Sequence, residues 1–242
     1  ELNVLGKGLF YKGHYMKDEL LLDFCNNYTN DNDIILFCDG YDSIITGDLN
    51  ELEDKFIKLK VPILISTDTI HTNYNPLTWI TKYIYYKTFP LNINTGLFIG
   101  YSKNIKNLLN KLKVRQSKSL IISNQKAWGY YIKYNNLTNK EIFFDNNDFF
   151  YNYSSIYYDS IPLKVINNNL FRGNKQIYVL QAPTNSNINN ICKLLGYKQI
   201  KYNCKTLFSN VKKIKYYYKS FLREFLAFFG VIVIFTLFKY LK

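Results

Sequence analysis

The sequence predicts an α/β fold, a mostly parallel sheet flanked by helices with an apolar helix added at the C-terminus. Three observations predict it. Short, uninterrupted apolar runs alternate with stretches whose apolar residues recur at helical spacing. Polar residues rich in Asn and Asp separate these segments, as turns require. The last segment, 221–242, is far more apolar than anything before it.

Lys17 to Cys25 reads as a helix, because Leu20, Leu21 and Phe24 fall on one face. Asn30 to Asp33 is a polar turn. Ile34-Ile35-Leu36-Phe37 then fits a strand buried on both faces. Leu49 to Leu59 reads as a helix, with Leu52, Phe56 and Leu59 at helical spacing. Val61 to Ser66 and Leu97 to Gly100 are further apolar strands, and Asn104 to Leu112 is a helix. Strands alternating with helices favour parallel pairing through right-handed crossovers. Ile191 to Leu195 fits a last short helix.

Phe225 to Phe238 carries no charge and consists mainly of large apolar residues. As a helix it spans about 21 Å at 1.5 Å per residue, against a hydrocarbon core of roughly 30 Å. Tyr240, Leu241 and snorkelling Lys239 and Lys242 extend it. Lys212, Lys213, Lys215, Lys219 and Arg223 form a basic approach. We expect a basic linker over 206–220 and a single-pass tail anchor over 221–242, with the domain on the cytoplasmic side. The competing reading is a buried core helix.

The chain has 242 residues, 48% apolar, which suffices for a substantial core. Its net charge of +13 suits an anionic membrane surface or a nucleotide diphosphate. No helix-turn-helix, zinc knuckle or aromatic RNA-binding signature accompanies that charge, so no nucleic-acid partner is expected. Cys25, Cys38, Cys192 and Cys204 lack metal-binding spacing and read as reduced, structural thiols. His14 and His71 read as surface or loop residues. The chain opens on Glu1 with no signal peptide at this end, as a processed chain or fragment does.

Asp39-Gly40-Tyr41-Asp42 directly follows the strand that begins at Ile34. Ligands of open α/β sheets bind beyond the carboxyl ends of strands. Two acids three residues apart on a turn opened by Gly40 can face one hard divalent cation. The same spacing also serves helix capping and turn filling, and spacing does not decide between them.

Phe37-Cys38-Asp39-Gly40-Tyr41-Asp42-Ser43-Ile44-Ile45 resembles the F-x-D-S-Y-D-V-I segment of the glycosyltransferase domain of the procollagen lysyl hydroxylases. Leu5-Gly6-Lys7-Gly8 with Tyr11-Lys12-Gly13 is similar to that family's L-G-x-G-x-x-W-x-G-G. Leu49 to Phe56 resembles its P-x-E-L-x-x-K-F helix, and Ile65-Ser66-Thr67-Asp68 stands where it has F-S-A-E. Leu91 to Tyr101, reading Leu-Asn-Ile-Asn-Thr-Gly-Leu-Phe-Ile-Gly-Tyr, resembles F-L-N-S-G-G-F-I-G. Phe144-Asp145 with Phe150-Tyr151-Asn152, then Pro183-Thr184 and Leu195-Gly196-Tyr197, are similar to its later segments. Similar domains occur in large DNA viruses as well as animals, which suits the AT-rich residue usage.

The resemblance implies a GT-A fold over residues 1–205, with the family's first strand missing before Glu1. It implies Mn2+ or Mg2+, a UDP-sugar donor, and as acceptor hydroxylysine or galactosyl-hydroxylysine of collagen-like protein. By the same resemblance Asp39 and Asp42 are metal ligands, Tyr41 lies against the nucleotide, Asn94 near the sugar, Lys17 near the donor, and Asp68 is a catalytic candidate in the acceptor region. The chain departs from the family in several places. Ser123-Asn124-Gln125 replaces an Asp-Asp-Gln motif facing the donor sugar, which leaves Asn124 as the catalytic candidate there. Val179-Leu180-Gln181-Ala182-Pro183 lacks the family's metal-binding His, which leaves Gln181 as a neutral third ligand. Thr-Ile-His-Thr-Asn-Tyr-Asn follows Asp68 where the family has a shorter stretch with a Cys-Trp pair. Two functions therefore stay open: an active hexosyltransferase, and a non-catalytic GT-A relative acting as a membrane-held binding or scaffold domain.

Overall fold

A computed structural model describes residues 1–10, 12–40, 42–67, 93–116, 124–146, 148–153, 162–182 and 189–197. Helix α1 (Tyr15–Tyr28) leads into strand β1 (Ile34–Cys38). Strand β2 (Ser43–Ile45), helix α2 (Leu49–Leu59) and strands β3 (Ile63–Thr67) and β4 (Ile93–Tyr101) follow. Helices α3 (Ser102–Gln116) and α4 (Asn124–Tyr134) then precede short strands β5 (Phe143–Phe144) and β6 (Phe150–Asn152). A meander of β7 (Leu163–Ile166), β8 (Asn169–Arg172) and β9 (Lys175–Ile177) leads to β10 (Val179–Gln181) and helix α5 (Asn189–Leu194).

The main sheet has the order β1-β4-β3-β5. Alternation sorts its side chains cleanly onto two faces. Ile63, Ile65, Ile93 and Phe98 pack with Leu21, Leu22 and Cys25 of α1, Ile105, Leu108, Leu109 and Leu112 of α3, and Trp128 and Ile132 of α4. Leu64, Leu97 and Ile99 point the other way, onto Leu52 and Phe56 of α2 and onto Phe150 and Val179 of a second sheet, β2-β10-β6. Beyond that second sheet Tyr151 and Leu180 meet Leu170, Ile177 and Ile191. The layers are thus helices, main sheet, then α2 with the second sheet.

The expectation of a mostly parallel sheet is corrected. β4 runs antiparallel to both β1 and β3, and only β3–β5 is parallel. The second sheet is mixed as well, β10 being antiparallel to β2 and parallel to β6. β1 and β3, which flank α2 in sequence, do run the same way, since each opposes β4. The apolar run at Leu97 reports burial on both faces, which either strand direction satisfies. The segment that precedes β4, residues 68–92, lies outside the described residues.

β1 differs from expectation too. It stands at the end of the strand order, and every residue in it is half-buried. Its Ile35 and Phe37 face one core and Ile34, Leu36 and Cys38 the other, but one long edge has no neighbour among the described strands. The buried stripe of α1 is Asp18, Leu21, Leu22 and Cys25, with Leu20 and Phe24 only partly covered. Leu20 packs against Gly6: a Cβ there would meet Leu20 Cδ1 at 2.8 Å, and φ is +73°.

α2 begins and ends as read. Asp48 caps it by accepting from Asn50 N at 2.9 Å, and Lys60 closes it in the left-handed region at φ 54°. Among the described residues no helix is long and apolar enough to cross a membrane. The linker 206–220 and the expected anchor 221–242 lie outside them, as do Tyr11, Tyr41, Asp68, His71, Ser123 and Cys204. Cys25, Cys38 and Cys192 are free thiols.

Candidate functional site

Three strand ends and one helix meet where the acids stand. Asp39 leaves β1 and stays attached to β4 by its own N–H, which donates to Gly96 O at 2.8 Å. Asp42 sits just before β2, and its carbonyl accepts from Ala182 N at 2.7 Å, which binds it to the end of β10. Gln181 closes β10 opposite Ser43. Its Nε2 donates to Asp39 Oδ2 at 3.2 Å and, more loosely, to Asp42 Oδ1 at 3.4 Å. Lys17, in the first turn of α1, donates to Asp39 Oδ1 at 2.8 Å and Oδ2 at 3.0 Å. The structure therefore brings Lys17, Asp39, Asp42 and Gln181 into one cluster.

Gly96 makes the cluster possible. A Cβ at this position would lie 2.5 Å from Asp39 Oδ2 and closer still to the Gln181 amide nitrogen. The local backbone is irregular: pairing of β3 with β4 jumps from Ile65↔Phe98 to Ser66↔Asn94. That bulge carries Thr95, Gly96 and Leu97 out of register with β3, while Leu97 still pairs with Cys38 of β1.

The electrostatics are unbalanced. Burial, reinforced by the charge of Asp39, pushes the Asp42 carboxyl up to about 6, against the opposing pull of Gln181 and Lys17. Burial also pushes the neighbouring Cys38 thiol up to about 11, which keeps it protonated and unreactive. Gln181 is 2% exposed, and its Oε1 has no hydrogen-bond partner.

The other candidates stand in a second, better satisfied layer. Asn94 is 4% exposed. Its Oδ1 accepts from Gly96 N at 2.8 Å, and its Nδ2 donates to Asn152 Oδ1 at 2.8 Å. Asn152 in turn donates to Ser66 Oγ and Thr67 O, each at 2.6 Å. Asn94 thus holds the bulge in place. Asn124 opens α4, is 5% exposed, and donates to Asp18 Oδ1 at 3.3 Å; Trp128 Nε1 donates to the other Asp18 oxygen at 3.1 Å. Its amide is tied to α1 one residue beyond Lys17, and the arrangement links α1 and α4 beneath the cluster. His14 is exposed at the start of α1. Reading the sequence did not single out Gly96, Asp18 or Asn152 as site-forming. For Gly96 the signal was present: a glycine inside a long strand marks a close approach.

The residues fit a divalent cation in donor chemistry. Two carboxylates and an amide oxygen are hard oxygen donors. Asp42 is held where its charge is unfavourable without a counter-charge, and a half-turn of the Gln181 amide would put its orphan oxygen where its nitrogen now meets both acids. The set is nevertheless lean, for among the described residues no three His, Cys, Asp or Glu side chains converge.

The fold defines a class, the helix-flanked mixed-sheet α/β domains, with an acidic, oxygen-rich cluster at its strand ends. The comparison with protein families makes this specific. Residues 2–122, half of the chain, match the model of the PLOD glycosyltransferase domain, and the chain belongs to that family. No curated protein matches the chain. A glycosyltransferase domain implies a nucleotide-sugar donor and an acceptor. The matched residues include Lys17, Asp39, Asp42, Asn94 and Gly96, whereas Asn124 and Gln181 lie beyond them.

Proposed function

We infer that the chain moves a hexose from a UDP-sugar to a hydroxyl acceptor, with a divalent cation held by Asp39, Asp42 and the Gln181 amide oxygen. The observation that carries this reading is the convergence of these three side chains over Gly96, at strand ends of a domain in this family. When bound, the cation supplies Lewis-acid neutralisation of the departing diphosphate. Lys17, which pairs with Asp39, is proposed to add a second positive charge for the same phosphates. Asn94 and Asn152 fix the bulge, so Gly96 and Asp39 keep their positions while charge develops nearby. Tyr41 and Asp68, outside the described residues, are assigned to the nucleotide and the acceptor from the resemblance alone. Mn2+ is the expected ion, and hydroxylysine or galactosyl-hydroxylysine of a collagen-like protein the expected acceptor. The apolar segment 221–242 is proposed to hold the domain at a membrane, with the domain on the cytoplasmic face.

Release of UDP from UDP-galactose and UDP-glucose, with and without Mn2+ and a hydroxylated Gly-X-Y peptide, tests this. The wild-type chain should turn over in an Mn2+-dependent way, and replacing both acids by Asn should lower the rate by about 10²-fold or more. Metal-independent turnover unaffected by the double replacement would contradict it. A second reading, donor binding without turnover, draws on Asn124, which stands where the family has an acid and is hydrogen-bonded into the helix layer. UDP binding with no product from any acceptor would select it.

A further inference from the structure

The Lys17 ammonium sits on both oxygens of Asp39, at 2.8 and 3.0 Å. A hard cation binds carboxylate oxygens at roughly 2.0–2.6 Å. An ion on Asp39 and the ammonium on Asp39 would therefore be a divalent and a monovalent positive charge within a few ångströms, a strong repulsion even in a partly screened site. Gln181 tells the same story from the opposite side. It turns its N–H toward both acids, as suits carboxylates without a cation, and this leaves its buried oxygen without a partner. Cation entry reverses that penalty. In both contacts a protein N–H group occupies the carboxylate oxygens that a cation would bind.

We propose that Lys17 is a built-in counter-ion of Asp39 that a divalent cation must displace, so that metal binding and the Lys17–Asp39 pair are mutually exclusive. The inference rests on the cation reading of Asp39 and Asp42. Displacement is feasible because the pair is only partly buried, with side-chain exposures of 25% and 26%, and because the lysine stem is flexible. A bound diphosphate gives the displaced ammonium a new anionic partner. Nucleotide and metal therefore bind cooperatively, and Lys17 is the group through which they couple.

Calorimetric titration of Mn2+ into the full 242-residue chain, with and without UDP, tests this on wild type, Lys17→Met and Lys17→Arg. Lys17→Met should bind Mn2+ alone about tenfold tighter than wild type, and added UDP should strengthen Mn2+ binding far less in it than in wild type. Lys17→Arg, which keeps the charge, should retain the weak, UDP-dependent binding of wild type. Should Lys17→Met not fold, Lys17→Gln makes the same comparison. Equal Mn2+ affinity in wild type and the neutral variants overturns the counter-ion role and leaves the metal site standing. No Mn2+ binding in any protein, with or without UDP, overturns the metal site itself and the inference with it.

Discussion

Two polar clusters, one largely buried and one partly exposed, lie side by side in this fold and are built on opposite terms. The Asn94–Asn152–Ser66–Thr67 network joins β4, β6 and β3 through neutral groups, with bonds of 2.6–2.8 Å. The Lys17–Asp39–Asp42–Gln181 cluster joins α1, β1, β2 and β10 through charges, with an orphan oxygen and a carboxyl pushed up to about 6. Neutral, well-partnered groups hold a backbone in place at little electrostatic cost. Acids packed together without enough positive charge are what a fold keeps when something else is to complete them. The first cluster has the character of scaffold, and the second is the proposed binding site.

The two meet at Gly96, so that position offers the largest effect. Gly96→Ala forces a methyl against Asp39 and the Gln181 amide. We expect Mn2+-dependent UDP binding to fall by about 10²-fold or more, with a stability loss of about 1–3 kcal/mol from overpacking. Calorimetry and urea unfolding measure the two separately, and unchanged binding would show that the glycine does not shape the site.

Asn152→Ala should act on the scaffold. It removes the hydrogen bonds that Asn152 makes with Asn94, Ser66 and Thr67 in a largely buried layer, for a loss of about 2–4 kcal/mol in urea unfolding. A change within experimental error would refute the division between the clusters.

Asp42→Asn should have the smallest effect on stability, and with the opposite sign near neutral pH. Asp42 rises from an ordinary value of 3.8 to about 6 in the folded chain. Between those values the native state binds more protons than the unfolded one, so this group's contribution to stability falls as pH rises from about 4 to about 6 and is flat above. Asn cannot ionise, so the variant should be as stable as wild type or slightly more so at pH 7, while losing metal-dependent UDP binding. Thermal unfolding of both proteins at pH 4 and pH 7, without metal, checks the sign. A variant clearly less stable than wild type at pH 7 would reverse the assignment.

These clusters were not equally legible in the sequence. α2 could be read from the helical spacing of Leu52, Phe56 and Leu59, whereas its Asp48 cap and left-handed Lys60 became visible only in the structure. The acids at 39 and 42 were legible because they follow an apolar run directly. Gln181 meets Asp39 across 142 positions of chain, so no local pattern joins them. It came into view only as the residue standing where a resembling family has a ligand. The second sheet was invisible because β2, β6 and β10 have three residues each, too few to display alternation. Helix α4 did carry a signal, with Ala127, Trp128 and Ile132 buried at helical spacing, but Asn124 drew attention as a motif rather than as the start of a helix.

The proposed activity depends most on whether Asp39 and Asp42 hold a cation together with the nucleotide. Calorimetry of UDP binding, with and without Mn2+, on the wild-type chain and on a chain carrying both Asp39→Asn and Asp42→Asn tests this directly. The account predicts tight UDP binding for wild type with Mn2+ and weak binding in the other three cases, with the doubly substituted chain still folded. Equal UDP binding in all four cases, or none in any, would contradict it.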